Sequence, residues 1–379
     1  GGVGQEIRVR SIKFTRKAII SRSRHELFEW ENGTRRLFRF SSFNAADLIG
    51  RADAGPEGYL DPYEQEDQII TAKQMGGRVV RTYTLRVKKP GENAPSSAIQ
   101  GNGVYGNQFV HLDRALQYAN KHKIRLIIPF IDNWEWFGGI DSFNALYGVS
   151  NNHDAFFSDA NLRSKFKQVI TDVIWRVNSL TGVRYRDDPA ILAWQLGNEL
   201  CSSNNRNDPP VAWTQEMVDH VRSQDPNHLI MDGTWSNSAN NGGDWNAGLK
   251  SVAQLDIRSA HYYGGESSSD ANLYANRLFN NQFIAQNAGK VFMLDEFGIA
   301  SPTILNGVFD AMKTSGWTMG SLLWSIRAQS VNGGALVHYE YANFMAYHWP
   351  GFVNGPKCGL TVTGDGTKNL FDQNNLAVM

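Results

Sequence analysis

Ile191-Leu192-Ala193-Trp194-Gln195-Leu196-Gly197-Asn198-Glu199-Leu200 sets the pattern of the chain. An apolar run lacking the polar alternation of a half-buried strand stops at Gly-Asn-Glu. Such a run suits a strand buried on both faces of a parallel sheet. The stretch before it, 162–180, has a different period. Leu162, Phe166, Val169, Ile170, Val173, Ile174, Val177 and Leu180 recur every three or four residues, which predicts a helix.

Strand and helix alternate outward from there in both directions. Strands are predicted at Leu37–Phe43, Val79–Leu85, Ile124–Phe130, Ile191–Leu196, His228–Met231, Leu255–Ala260, Val291–Leu294 and Ser321–Ser325. Helices are predicted between them at 105–121, 162–180, 214–221, 273–284 and 304–312. Eight such strands predict a (β/α)8 TIM barrel spanning 37–330. A doubly wound sheet is the alternative, but no GxGxxG or GxxxxGK[ST] loop follows a strand. Residues 1–36 read as an N-terminal arm and hairpin. Asn32-Gly33 is the turn signal, so the glycosylation sequon Asn32-Gly33-Thr34 reads first as a turn. Residues 331–379 read as a C-terminal extension packed on the barrel. The long loops 43–63, 86–104, 131–160, 200–212 and 232–250 belong at the C-terminal face of a barrel.

Composition limits the function classes. Lys plus Arg and Asp plus Glu both number 37, giving a formal net charge of 0. That argues against a broad nucleic-acid footprint. No run of 18 apolar residues exists, so no membrane span is expected. The two cysteines, Cys201 and Cys358, make no disulfide scaffold, and whether they pair stays open. Neither has metal-site partners at short spacing, and Asp53, Asp61 and Asp67 lack EF-hand spacing, so no metal is expected. The start, Gly1-Gly2-Val3-Gly4-Gln5, has no Met and no apolar signal core. It reads as a processed end, with secretion and cytoplasm both open. A monomer is expected.

Eleven Trp are the compositional excess. A sugar-binding cleft needs such rings for the apolar face of a pyranose, with amides and carboxylates for its hydroxyl rim. Trp30, Trp175, Trp194 and Trp317 read as core. Trp213, Trp235, Trp245 and Trp349 sit in polar stretches and read as outer walls.

Two strand ends carry the chemistry. The fourth strand ends at Asn198-Glu199 and the seventh at Leu294-Asp295-Glu296-Phe297-Gly298. In a barrel both glutamates project into one pocket. Two facing carboxylates are the machinery of glycoside hydrolysis, one protonated as acid and one ionised as nucleophile.

With these motifs the chain resembles the retaining glycoside hydrolases of clan A, above all family 5 and its mannanase and β-mannosidase branch, over residues 37–330. The resemblance implies Glu199 as acid/base and Glu296 as nucleophile. It implies Asn198 on the sugar 2-hydroxyl, Arg81 beside the nucleophile, and His261 with Tyr263 from the sixth strand, Tyr263 donating to Glu296. Trp324 would floor the −1 subsite. Asp132-Asn133-Trp134-Glu135-Trp136-Phe137-Gly138-Gly139 resembles the Asn-Asn-Trp…Gly-Gly loop of the mannanases, with Asp132 in place of the first Asn. It implies substrate contacts from Asn133 and Trp134. Leu200-Cys201 stands where the mannanase branch carries Pro-Arg, a change compatible with a shortened cleft. The implied activity is an exo-acting β-mannosidase on β-1,4-mannooligosaccharides, with transglycosylation possible and no cofactor. The alternatives are an endo-β-1,4-mannanase, another clan A glycanase, or a carbohydrate-binding barrel that has lost a carboxylate. The arm, the 131–160 loop or the tail would close the cleft for exo action.

Overall fold

The computed structural model describes residues 20–31, 33–51, 58–202, 208–235, 247–263, 271–298, 302–315, 318–331 and 348. Eight parallel strands close a barrel. They are β1 (Phe40–Ala45), β2 (Val79–Thr82), β3 (Arg125–Pro129), β4 (Ile191–Gln195), β5 (Leu229–Met231), β6 (Ile257–Tyr262), β7 (Val291–Gly298) and β8 (Thr318–Trp324). Strand β8 closes the ring on β1, with Gly320 opposite Phe40. The helices are α1 (Pro62–Gln74), α2 (Gln108–His122), α3 (Gly139–Leu146), α4 (Ala155–Ser158), α5 (Ala160–Trp175), α6 (Val211–Gln224), α7 (Ala271–Asn287) and α8 (Pro302–Ser315). The fold is a TIM barrel, and all eight predicted strands are present with shifted ends. Among the described residues no helix is long and apolar enough to cross a membrane.

Two layers of apolar contact hold the barrel. Outward-facing Leu126, Ile128, Trp194, Ile230, Phe292 and Leu294 pack beneath the helices in the main core. Inward-facing Val79, Ile127, Met231, Ile257, Val291 and Met293 fill the lower lumen. Ile20, Leu27 and Phe38 join that lower cluster. The hairpin of Glu26–Glu31 and Thr34–Leu37 therefore plugs the N-terminal end of the barrel. Arg22 fixes it there through Asp256 at 2.8 Å, just ahead of β6. This corrects one option raised by the sequence. The described part of the arm lies at the opposite end from the strand C-termini, so it does not close a cleft there.

Helix α1 begins at the end of the expected 43–63 loop and runs into a stretch, 64–78, for which no element was predicted. Only Ile69, Ile70 and Ala72 mark a face in Pro62–Gln74, so apolar periodicity is weak. Its start is nonetheless signposted. Asp61 accepts from Tyr63 N–H at 2.8 Å, Glu64 accepts from Asp61 N–H at 2.9 Å, and Pro62 opens the first turn. After β8 the chain returns along this helix. Gln329 N–H donates to Asp67 at 2.8 Å, and His348 meets the same carboxylate at 2.7 Å. The rest of the expected extension, 332–347 and 349–379, lies outside the described residues.

Three tryptophans differ from their expected places. Trp213 is buried on α6 against Phe156, Phe157 and Phe166, not in a loop wall. Trp30 and Trp175 are 53% and 42% exposed, not core. Trp175 ends α5 and carries the Arg184 and Arg186 guanidiniums on its ring. Trp245, Trp317, Trp349 and Cys358 lie outside the described residues.

Candidate active site

The strand ends carry irregular backbone that aims the acidic residues. After β4 the chain continues in register with its neighbours: Asn198 N–H donates to Ile131 O at 2.7 Å, and Leu200 N–H to Gly233 O at 3.0 Å. Gly233 has φ +72°, and a Cβ there would lie 1.9 Å from Gly197 O, so only glycine lets the β5 loop support this turn. Between these anchors Glu199 adopts φ +52°, a left-handed conformation uncommon for a non-glycine residue. Opposite, β7 bulges. Ala260 pairs with Leu294 but His261 pairs with Glu296, leaving Asp295 as the extra residue. A bulge re-aims side chains. Here Asp295 and Glu296 both reach the partners described next, although consecutive residues of a regular strand face opposite ways.

Arg81 is the hub. It is fully buried in the lumen two residues above Val79. Its Nη1 donates to Glu296 Oε2 at 3.0 Å and to Asn44 Oδ1 at 3.1 Å. Its Nε donates to Gln195 Oε1 at 2.8 Å, and Nη2 to Asn198 Oδ1 at 2.7 Å. The planar fork thus ties β1, β2, β4 and β7 together. Glu296 also accepts from Tyr263 OH at 2.6 Å. Burial and the Glu199 carboxylate push the Glu296 pKa up, while His261, Arg81 and Tyr263 pull it down; the balance is upward.

Glu199 accepts from the Trp134 indole N–H and faces His261 Nδ1 at 2.8 Å. Trp134 in turn meets Trp235 edge-on, with ring centroids 5.9 Å apart. Atoms of Glu199, His261 and Glu296 lie within 4.8 Å of one another. Burial alone lowers the His261 pKa, but Glu296, Asp295 and Glu199 together raise it well above the ordinary value.

Asn198 has its amide oriented from both sides. Its carbonyl faces Arg81, and its Nδ2 donates to Asp132 Oδ1 at 2.9 Å and Tyr83 OH at 3.3 Å. Asp132 is fully buried, and burial lifts its pKa to about 7 against the pull of Asn198 and Tyr83. Trp324, Tyr83, Phe137 and Ala46 form a separate apolar cluster with Tyr263 against it.

Of the nine residues singled out in the sequence, Arg81, Asn198, Glu199, His261, Tyr263 and Glu296 join one hydrogen-bond and ion-pair network, with Trp134 on it and Trp324 beside it. Asn133 does not face the cleft. It is 4% exposed, its Oδ1 accepts from Cys201 N–H at 3.0 Å and meets His153 Nε2 at 3.2 Å, and its Nδ2 points to Cys201 Sγ. Its amide clasps the β3 and β4 loops together. Sequence reading passed over Asn44, Tyr83, Gln195 and Asp295. Their signal was position: each follows an inward-facing residue by two.

A barrel with two carboxylates facing each other from the ends of β4 and β7 has the architecture of a glycoside hydrolase. A family model described as GH family 5 beta-mannosidase-like matches residues 67–348, and the chain belongs to that family. A mannan endo-1,4-beta-mannosidase 1 of Solanum lycopersicum is 28% identical over 78% of this chain and 81% of its own. A putative mannan endo-1,4-beta-mannosidase 5 of Oryza sativa subsp. japonica is 47% identical, over 34% of this chain and 27% of its own length. The solved glycoside hydrolase family 5 mannosidase from Rhizomucor miehei superposes with a TM-score of 0.68 over 83% of this chain and 87% of that one, at 17% identity, which speaks for the fold.

Proposed function

We propose that the protein hydrolyses β-mannosidic bonds of mannan or mannooligosaccharides with retention of configuration. The carrying observation is the proximity of the two carboxyls, with an oxygen of Glu199 and one of Glu296 inside 4.8 Å. Retaining enzymes hold the pair about 5–5.5 Å apart, inverting ones about 6.5–9.5 Å. Two unit charges at 4.8 Å repel by about 3–4 kcal/mol at an effective dielectric of about 20. That repulsion favours one anion in the pair. Arg81 and Tyr263 contact Glu296, so the proposal places the attacking anion there, against the upward push of burial, and gives Glu199 the acid role.

In the first step Glu296 attacks the anomeric carbon while Glu199 protonates the departing oxygen. In the second, Glu199 takes a proton from water, which displaces Glu296 from the glycosyl-enzyme. Asn198 meets the 2-hydroxyl, with its amide pre-set by Arg81 and Asp132. Trp324 floors the subsite and Trp134 lines it.

The finer proposal is exo action, supported by Leu200-Cys201 with Cys201 buried at 2% exposure. Endo action is a second reading, favoured by the names of the tomato and rice relatives and by the hairpin's place at the far end of the barrel. A product time course on β-1,4-mannooligosaccharides, mannan and matched cellooligosaccharides decides. Mannose from the earliest times with little viscosity loss means exo action. Mannobiose and longer products with rapid viscosity loss mean endo action. Turnover of cello-substrates only overturns the mannose assignment.

A further inference from the structure

Asp295 has no part in the two steps above, yet it lies beneath both carboxyls. It is fully buried. Its Oδ2 accepts from Gln195 Nε2 at 2.7 Å, lies 3.3 Å from His261 Nε2, and lies 3.6 Å from Arg81 Nε. Arg81 is the cation on Glu296, and His261 is the ring on Glu199. Among the described residues Asp295 Oδ2, at 3.3 Å, is the carboxylate oxygen that faces His261 Nε2, and no regular hydrogen bond engages that nitrogen.

The ring is thus held between acceptors. Its Nδ1 faces Glu199 at 2.8 Å and Glu296 at 3.6 Å, and its Nε2 faces Asp295. A neutral imidazole has one N–H and leaves one nitrogen lone pair against a carboxyl group. A neutral ring with its N–H on Asp295 serves both sides only while Glu199 holds its proton. Once Glu199 is a carboxylate, as after the first step, the Nδ1 lone pair opposes it, and only the doubly protonated ring serves both sides through both steps. We propose that Asp295 is a positioning residue that holds His261 as an imidazolium, so that an N–H stays aimed at Glu199 through both half-reactions. This rests on the acid/base role proposed above for Glu199.

The charges agree. The groups facing His261 are Glu199 from the β4 loop and Asp295 and Glu296 from β7, with Arg81 of β2 beyond Asp295. These carboxylates outweigh burial and favour the charged ring. Burial pushes the Asp295 pKa up, but His261, Arg81 and Gln195 bring it below the ordinary value. Two cations and three carboxyls are neutral with one proton, the one assigned to Glu199.

The test needs wild type, Asp295→Asn, His261→Gln and the double variant. Ring-nitrogen NMR of wild type at pH 8, assigned by difference against His261→Gln, is expected to show an imidazolium. In Asp295→Asn the same ring is expected to be neutral at pH 8. Hydrolysis of 4-nitrophenyl β-mannoside by Asp295→Asn is expected to fall about 100-fold in kcat, with a new ionisation in the ordinary imidazole range near 6.5. Adding Asp295→Asn to His261→Gln is expected to cost less than about threefold more, because the two act as one unit. A neutral His261 in wild type at pH 8 overturns the proposal without any variant. Multiplicative losses in the double variant overturn it as well. An imidazolium in an enzyme that cleaves no mannoside overturns the substrate reading and leaves the Asp295–His261 link standing.

Discussion

The lower and upper halves of the barrel lumen come from the same strands and differ within one two-residue step. Val79 is followed by Arg81, Ala193 by Gln195, and Met293 by Asp295. The lower member of each pair belongs to a closed apolar cluster plugged by Leu27 and Phe38. The upper members form a buried polar network around Glu199 and Glu296. Burying apolar groups stabilises without further conditions. Burying ions costs several kcal/mol each unless every charge is paired. The lower half therefore supplies stability, and the upper half spends some of it to hold charges in place.

The sharpest way to break this contrast is Glu296→Ala. It is expected to lower kcat by about 10⁴-fold or more while the far-UV spectrum and cooperative unfolding persist. Substantial residual turnover removes Glu296 from the nucleophile role. The mirror experiment is Ile127→Ala in the lower lumen. It leaves a cavity and is expected to cost about 2–5 kcal/mol in denaturant unfolding, with kcat per folded molecule within about twofold of wild type. A large kcat loss there with stability unchanged would erase the division between halves.

A third variant tests a buried ion outside the lumen. Asp225 accepts from Trp194 Nε1 at 2.7 Å and meets His228 Nδ1 at 2.7 Å. Burial pushes its pKa up, but His228 and Trp194 outweigh this and bring it to about 2. The unfolded value is near 3.9, so the carboxylate's stabilisation is full above about pH 4 and fades as pH falls toward 2. It is worth of order 2 kcal/mol. Asp225→Asn is expected to flatten the acid limb of a stability–pH curve between pH 4 and 2. An unchanged limb counts against the ion pair. The smallest effect is expected at Trp175→Ala, where two guanidinium contacts at the surface contribute about 1 kcal/mol and kcat stays the same. Loss of activity there would mean that the outer surface reaches the site.

The same contrast explains what the sequence disclosed. Barrel strands were legible because burial on both faces makes them short apolar runs. That Glu199 and Glu296 meet was legible because each stands where such a run ends. Helix α1 was not, since its buried face includes Gln65, Gln68 and Thr71, which do not register as apolar period. Asp295 stands two after inward-facing Met293, so alternation alone points it inward; what alternation does not show is that the bulge at Ala260–His261 brings Glu296 into the same network. Asn133 looked like a substrate contact because the motif does not show that His153 and Cys201 fold over it. Such contacts are tertiary, joining residues up to 68 positions apart.

The central claim is double displacement by Glu199 and Glu296 on a β-mannosidic bond. Proton NMR of the first product formed from mannotetraose, read before mutarotation, tests it most directly. The account predicts that the β-anomer appears first and the α-anomer follows slowly. An α-anomer appearing first means direct attack by water and contradicts it.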